Sequence, residues 1–116
     1  MKERNQEFIL RVENYTLAVI DLLRTLPKDY IFDTIGRQLI RSATSIGANI
    51  IEAQAAASKK DFANFFNIAL KSANETKYWI RILSKLKKGL TVDRIYNETE
   101  EISKILGKSL LTMRGK

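Results

Sequence analysis

The side chains of this chain that could do chemistry are hydroxyls, carboxylates and cations, because its 116 residues include no histidine and no cysteine. These two absences remove the commonest general base, the commonest metal ligand and all thiol chemistry. A serine nucleophile would need a lysine or a carboxylate as its base, and no serine is convincingly spaced with such a partner. We therefore expect no catalytic residues, no cofactor and no enzymatic activity.

Two glutamates, Glu52 and Glu75, are the best candidates for a metal site, since they fall on consecutive predicted helices. Di-iron helical bundles use Glu-x-x-His pairs, which this sequence lacks, and two carboxylates are few ligands for an all-oxygen site. The alternative role is structural, in a polar network with Arg41 and Asn49 inside the bundle or at a contact between subunits. We predict the structural role and no metal.

A stripe of cations and amides on the third predicted helix is the better functional candidate. Its members recur at alternating four- and three-residue steps, which places them on one side of a helix. They are Lys60, Asn64, Asn67, Lys71, Asn74, Tyr78, Arg81 and Lys85. Cations and amides suit a phosphate backbone, and Tyr78 could stack on a base. The alternative is a solvated face whose lysines keep the protein soluble.

The bulk charge agrees with a polyanion partner. Lysine and arginine number 20 against 13 acidic residues, which gives a net charge of +7 and a pI of about 9.8. Such a balance favours RNA, DNA or an acidic protein surface. The C-terminal cations Lys104, Lys108, Arg114 and Lys116 add to the total but show less organisation. No apolar run approaches the roughly 18 residues that a membrane span needs, and no signal peptide is visible, so we expect a cytoplasmic protein.

Four amphipathic helices are predicted to position these side chains. The first runs from about residue 7 to residue 26, where Pro27 stops it. Asp33 or Thr34 is the predicted N-cap of the second helix, which continues to about Ala57.

Ser58 is the predicted cap of the third helix, with Asp61 facing its positive end. This helix is the longest and ends near residue 86, before a glycine cap at Gly89. Thr91 with Asp93 opens the last helix.

The stretch from Gln38 to Ala53 on the second helix is the predicted centre of the fold. Its apolar seam continues on both sides and comprises Ile35, Leu39, Ala43, Ile46, Ile50, Ala53 and Ala57. Small side chains on this helix allow close approach of its neighbours, and Gly47 costs about 1 kcal/mol relative to alanine. With short loops and no strand signal, residues 1–116 are predicted to form one all-α domain, an antiparallel up-down-up-down four-helix bundle.

An ordered set of residues links the second and third helices to a known family. The set comprises Gln38, Leu39, Arg41, Ser42, Thr44, Ser45, Gly47, Ala48, Asn49, Glu52, Ala53, Ala56, Ser58, Asp61, Phe62, Ile68, Ala69, Lys71, Glu75, Thr76, Tyr78 and Trp79. It resembles a bacterial four-helix-bundle family whose founding members are encoded within intervening sequences of large-subunit ribosomal RNA genes. Ile51 and Asn74 depart from the pattern, since many relatives carry a basic residue at the first position and an acid at the second.

The resemblance implies a left-handed antiparallel bundle that often assembles as a ring-like homopentamer. A related branch includes the accessory variability protein of diversity-generating retroelements, which is basic and works with a reverse transcriptase and nucleic acid. A reverse transcriptase or another nucleic-acid enzyme is therefore an implied partner. For the members encoded in ribosomal RNA genes, the resemblance implies no established activity.

These observations favour a non-enzymatic homo-oligomer that binds nucleic acid, with RNA as the first choice, through phosphate contacts. The predicted binding residues are Lys71, Arg81 and Lys85 for the phosphates, Asn67 and Asn74 for positioning, and Tyr78 for stacking. The competing hypothesis is a protein-interaction scaffold whose ring never touches nucleic acid.

Overall fold

Four α-helices form the computed structural model of the protein, which describes residues 2–115 and the side chains of residues 5–115. The helices are α1 (Lys2–Arg24), α2 (Tyr30–Gln54), α3 (Lys59–Leu86) and α4 (Asp93–Met113). Their number and order confirm the predicted all-α four-helix bundle.

The helices run along one axis of a rod that measures 46 × 22 × 21 Å. At 1.5 Å per residue, the 28 residues of α3 extend about 42 Å, so this helix alone nearly spans the rod. The connections are too short to cross that length, and each helix therefore reverses the direction of the previous one. The contact between α2 and α3 is the most extensive, and α1 touches α4 only lightly.

The ends of α1 and α2 differ from the sequence prediction. α1 stops at Arg24 because Thr25 and Leu26 close tight turns before Pro27. α2 begins at Tyr30, since the extended Asp29 caps it: its Oδ1 accepts hydrogen bonds from the backbone amides of Ile31 (2.7 Å) and Phe32 (3.2 Å).

The predicted N-caps Asp33 and Thr34 are therefore wrong, and both lie inside the first turns of α2. α2 also ends at Gln54 instead of Ala57. The reason is local: Ser58 must be extended to cap α3, so the three residues before it form the connection.

The predicted boundaries of α3 are confirmed. The hydroxyl of Ser58 accepts a hydrogen bond from the backbone amide of Asp61 at 3.1 Å, and the helix ends at Leu86. Lys87, and not the predicted Gly89, is the C-cap of α3. Gly89 instead lies in the following turn, which Leu90 N and Lys87 O close at 3.2 Å, and its φ of +88° is one that glycine tolerates without strain. α4 begins at Asp93, as predicted, but Val92 is its N-cap, so Thr91 lies before the helix and no side chain caps it.

The core lies along the predicted seam of α2. Ile46, Ala43 and Leu39 are fully buried, and they belong to the same core cluster as the equally buried Ala69 and Ala73 of α3. α1 packs closely on the same helix, because a Cβ added at Gly47 would lie 3.3 Å from Val12 Cγ1. The small residues of α2 thus provide the space that the sequence suggested, and the two neighbouring helices occupy it.

Two hydroxyl pairs cross this core. Thr76 of α3 donates to Ser42 Oγ of α2 at 2.8 Å, and Tyr15 of α1 shares a 2.6 Å hydrogen bond with Thr99 of α4. Among the described side chains, no buried polar atom lacks a partner. Since an unpaired polar group would be costly in this core, these bonds fix the alignment of the helices along the rod.

The stability of the bundle depends on pH in the alkaline range because the phenol of Tyr15 is buried. Burial raises the pKa of its phenol from 10.0 to about 12. The unfolded chain therefore loses this proton first, so the contribution is complete below about pH 10 and is lost as the pH rises through about 12. Between about pH 10 and about pH 12, we expect ionisation of Tyr15 to lower the free energy of unfolding by about 3 kcal/mol.

Urea unfolding of the wild type and Tyr15→Phe at a series of pH values measures this effect. The phenylalanine variant cannot ionise, so it should lose less stability than the wild type above about pH 10. Equal alkaline losses in both proteins would show that Tyr15 does not carry the dependence.

Candidate nucleic-acid interface

The predicted stripe occupies the solvent-facing side of α3. Lys71, Arg81 and Lys85 are exposed, as are Asn74 and Tyr78. Asn67 is half-buried at the border of α3 with α4. All six predicted binding residues therefore lie along one helix face, which is continuous because α3 is unbroken from Lys59 to Leu86.

The three phosphate-binding candidates form no ion pair with a carboxylate among the described side chains. The ion pairs within residues 5–115 are Arg11–Glu98, Lys77–Glu100 and Lys104–Glu101. None of them involves the cations of the stripe, whereas Lys77, just off the stripe, lies 3.5 Å from Glu100. Exposed cations without a carboxylate partner are available to an external anion. The stripe can therefore contact phosphates without first breaking an ion pair.

An aromatic pair lies in the middle of the stripe. The rings of Tyr78 and Trp79 meet edge to face with centroids 5.0 Å apart, and Trp79 Nε1 donates to Glu75 Oε2 at 2.9 Å. Tyr78 is 50% exposed. The carboxylate of Glu75 thus orients Trp79, which packs against the Tyr78 ring, and that ring keeps surface on which a base could stack.

The predicted polar network does not form inside the bundle. Arg41, Glu52 and Glu75 are exposed, and Asn49 donates to its helical neighbour Ser45 at 2.8 Å (backbone O) and 3.1 Å (Oγ). No hydrogen bond joins the four predicted members to one another within the described side chains. The prediction that these residues form a network inside the bundle is therefore wrong. The alternative, a network at a contact between subunits, stays a prediction.

Hydroxyl groups of serine and threonine make the polar contacts between α2 and α3 that charged groups were expected to make. Besides the Thr76–Ser42 bond, Ser72 of α3 donates to Ser45 of α2 at 2.9 Å. Hydroxyls can be satisfied where two helices approach closely, whereas a long charged side chain would lose its hydration there. Their helical spacing on the facing seams of α2 and α3 was the available sequence signal.

The carboxylates do not assemble a metal centre in the part of the chain that the structure describes. Within it, no three His, Cys, Asp or Glu side chains come together as a group that could hold a metal ion.

The described helices also include none that is long and apolar enough to cross a membrane.

Cations of α4 adjoin the stripe, which sequence reasoning missed. Lys104, Lys108 and Arg114 line a shallow groove between α3 and α4, and Asn67 of the stripe lines the same groove. Lys116 lies outside the described residues. Helical spacing within α4 was the only signal, and it could not show that this face lies beside α3.

Comparison with known proteins places the chain in a family. The model of the 23S rRNA-intervening sequence protein family matches residues 4–108. A crystal structure from Bacteroides thetaiotaomicron, described as a protein of unknown function from the S23 ribosomal protein family, shares 35% sequence identity with a TM-score of 0.80. The match covers 89% of this chain and 97% of that one. No curated protein matches the chain. The chain belongs to the 23S rRNA-intervening sequence protein family.

Proposed function

We propose that this protein is a non-enzymatic, homo-oligomeric bundle that binds nucleic acid through phosphate contacts on the outer face of α3. The observation that carries the proposal is the set Lys71, Arg81 and Lys85: exposed, on one face, and without a carboxylate partner in the described structure. The family is named after intervening sequences of 23S rRNA, and we choose RNA as the first ligand to test.

The length of the stripe suits several phosphates. Lys71 and Lys85 are 14 residues apart, which corresponds to about 21 Å along a helix. One strand of a duplex advances about 3.4 Å per phosphate, so this distance matches about six phosphates. Lys71 and Arg81 are about four phosphates apart on this scale, and Arg81 and Lys85 about two. The amide of Asn74 lies between Lys71 and Arg81 and can position the backbone there, while Asn67 lies one helical turn before Lys71.

A salt titration of RNA binding tests the proposal. We expect log K to fall linearly with log salt, with a slope of about −2 or steeper for a single strand, since three phosphate contacts each contribute about 0.7. RNA, duplex DNA and single-stranded DNA of equal length should be compared at each salt concentration. Failure to bind any of them at low salt would exclude the proposal.

Tyr78 is expected to contribute stacking without contributing charge. Base stacking on an aromatic side chain is worth about 1–3 kcal/mol, so Tyr78→Ala should weaken binding to single-stranded RNA about tenfold. The salt dependence should not change, because the number of phosphate contacts is the same. Tyr78→Phe is the matched control and should bind like the wild type; an equal loss in both variants would contradict stacking.

Exposed apolar side chains support the proposed self-assembly. Leu17 of α1 and Ile51 of α2 line one shallow groove between their helices, and both are about half exposed in the single chain. A second copy that covered this surface would remove it from water, which favours association. We propose a homopentamer, in line with the family resemblance, and native mass spectrometry should give five times the 13.3 kDa of one chain.

The same surface favours a second candidate function, a protein-interaction scaffold. In that case the assembly would hold a protein partner, such as a reverse transcriptase or another nucleic-acid enzyme, and nucleic acid would contact only the partner. The salt titration separates the candidates, because a scaffold shows no steep, salt-dependent binding of its own to RNA.

A further inference from the structure

A second cationic surface borders the proposed interface where α3 begins and α4 ends. Here the two helices enclose a shallow groove of about 470 Å³. We propose that this groove receives an unpaired nucleotide of single-stranded nucleic acid, so that the binding site extends from the α3 stripe onto α4. This inference rests on the proposed function, and it names single strands as the ligand class.

The charge of the groove fits a polyanion. Lys104, Lys108 and Arg114 line it, and no carboxylate does. Lys108 and Arg114 have no ion-pair partner within residues 5–115. Lys104 lies 3.6 Å from Glu101, but both side chains are more than half exposed, and such a pair is readily exchanged for a phosphate.

An ion pair lies beyond the groove on the boundary between α3 and α4. Further along the boundary between α3 and α4, Lys77 lies 3.5 Å from Glu100, which neutralises that part. The groove begins where this pairing stops, and Asn67 connects it to the α3 stripe. Packed helices lie about 8–10 Å apart, so the cations of α4 form a second row parallel to those of α3.

The surface between the two rows is apolar and open. Leu70 and Leu110 line the groove, and Leu111 is 58% exposed beside them. Gly107 keeps the surface flat: a Cβ added there would meet no atom within 4 Å. An apolar surface between cations suits the face of an unstacked base with its flanking phosphates, whereas a duplex keeps its base faces inside the stack.

Asn67 supplies a polar edge to the groove. It is half-buried, and its amide forms no side-chain hydrogen bond within the described part of the chain. An amide offers both a donor and an acceptor, so it can contact the edge of a base or a phosphate oxygen. The path from the groove through Asn67 to Tyr78 therefore combines cations, an amide and two stacking surfaces.

Filling the groove at Gly107 tests the inference without damaging the fold. Leucine and alanine both favour helices more than glycine, and the space at Gly107 is free, so Gly107→Leu and Gly107→Ala should fold at least as well as the wild type. We expect Gly107→Leu to weaken binding to single-stranded RNA of about 12 nucleotides about tenfold, because the leucine side chain would occupy the place of the base. Binding to duplex RNA of equal length should change less than about twofold.

A variant that lacks the cations of the groove provides a second test of the inference. Replacing Lys104, Lys108 and Arg114 with glutamine should reduce the salt slope for the single strand by about 2. The matched control replaces Arg24, Lys28 and Arg37, which are exposed cations of the α1–α2 end, and should leave the slope close to that of the wild type.

The outcomes separate this inference from the proposed function. If the wild type binds neither RNA nor DNA at low salt, both are wrong. If the wild type binds but the Gly107→Leu and α4 charge variants behave like the control, the groove is not part of the site, and the α3 interface stands. If Gly107→Leu changes the mass of the assembly, or weakens single strands and duplexes equally, the groove serves another role and the inference is overturned.

Discussion

Replacing Lys71, Arg81 and Lys85 together with glutamine lowers the affinity for single-stranded RNA about 100-fold at about 0.1 M salt, if these side chains contact phosphates. Each contact contributes about 0.7 to the salt exponent, so the loss of three reduces the slope by about 2. The three side chains are exposed and have no ion-pair partner among the described residues, so their removal should not disturb the bundle.

Fluorescence anisotropy with a labelled strand at several salt concentrations measures both quantities. The triple glutamine variant of Arg24, Lys28 and Arg37 makes the same change in net charge elsewhere on the molecule. If binding follows net charge alone, the two variants lose affinity equally, and the α3 face is then only a solvated surface. A much larger loss in the α3 variant locates the interface.

Ile46→Ala is expected to destabilise the protein by about 3–4 kcal/mol. Ile46 is 0% exposed near the centre of α2, which packs against α1 and α3, so truncation removes buried apolar surface and leaves a cavity. Ile51→Ala is the matched control on the same helix, because Ile51 is 48% exposed in the single chain. Its truncation should cost less than about 1 kcal/mol in an isolated bundle.

Thermal and urea unfolding of both variants at several protein concentrations check this prediction. A loss of more than about 10 °C in melting temperature is expected for Ile46→Ala. Equal, small losses in the two variants would contradict the central place of α2 in the core. If Ile51→Ala instead shows a loss that grows with protein concentration and vanishes on dilution, Ile51 is buried by another copy in the assembled protein.

The predicted residues of the α3 stripe share a face because they belong to one helix. Within a single helix the rotation per residue is fixed, so spacing alone brings Lys71, Asn74 and Tyr78 together. Sequence reasoning also correctly placed the Ser58 cap and the seam of α2 from Leu39 to Ala53, but its last predicted member, Ala57, is exposed beyond the end of the helix. It failed at the start of α2, where Asp29 and Asp33 are both capable caps and the turn after Pro27 decided between them.

Relations between helices could not be predicted in the same way. The four charged and amide residues Arg41, Asn49, Glu52 and Glu75 were expected to meet, and instead the hydroxyls of α2 and α3 meet. The amino-acid pattern identifies which residues face inward, but the distance between two helix axes decides which side chains fit there. At a contact built from alanines and serines, only short polar groups can pair.

The sequence by itself determined the four helices, the buried face of each and the cationic stripe of α3, because these depend on interactions a few residues apart along the chain. Only the tertiary structure decided that Lys104, Lys108 and Arg114 lie beside Asn67 around an open groove. That arrangement depends on how α4 is rotated against α3, which is set by packing across the core and by pairs such as Lys77–Glu100, between residues distant in the sequence.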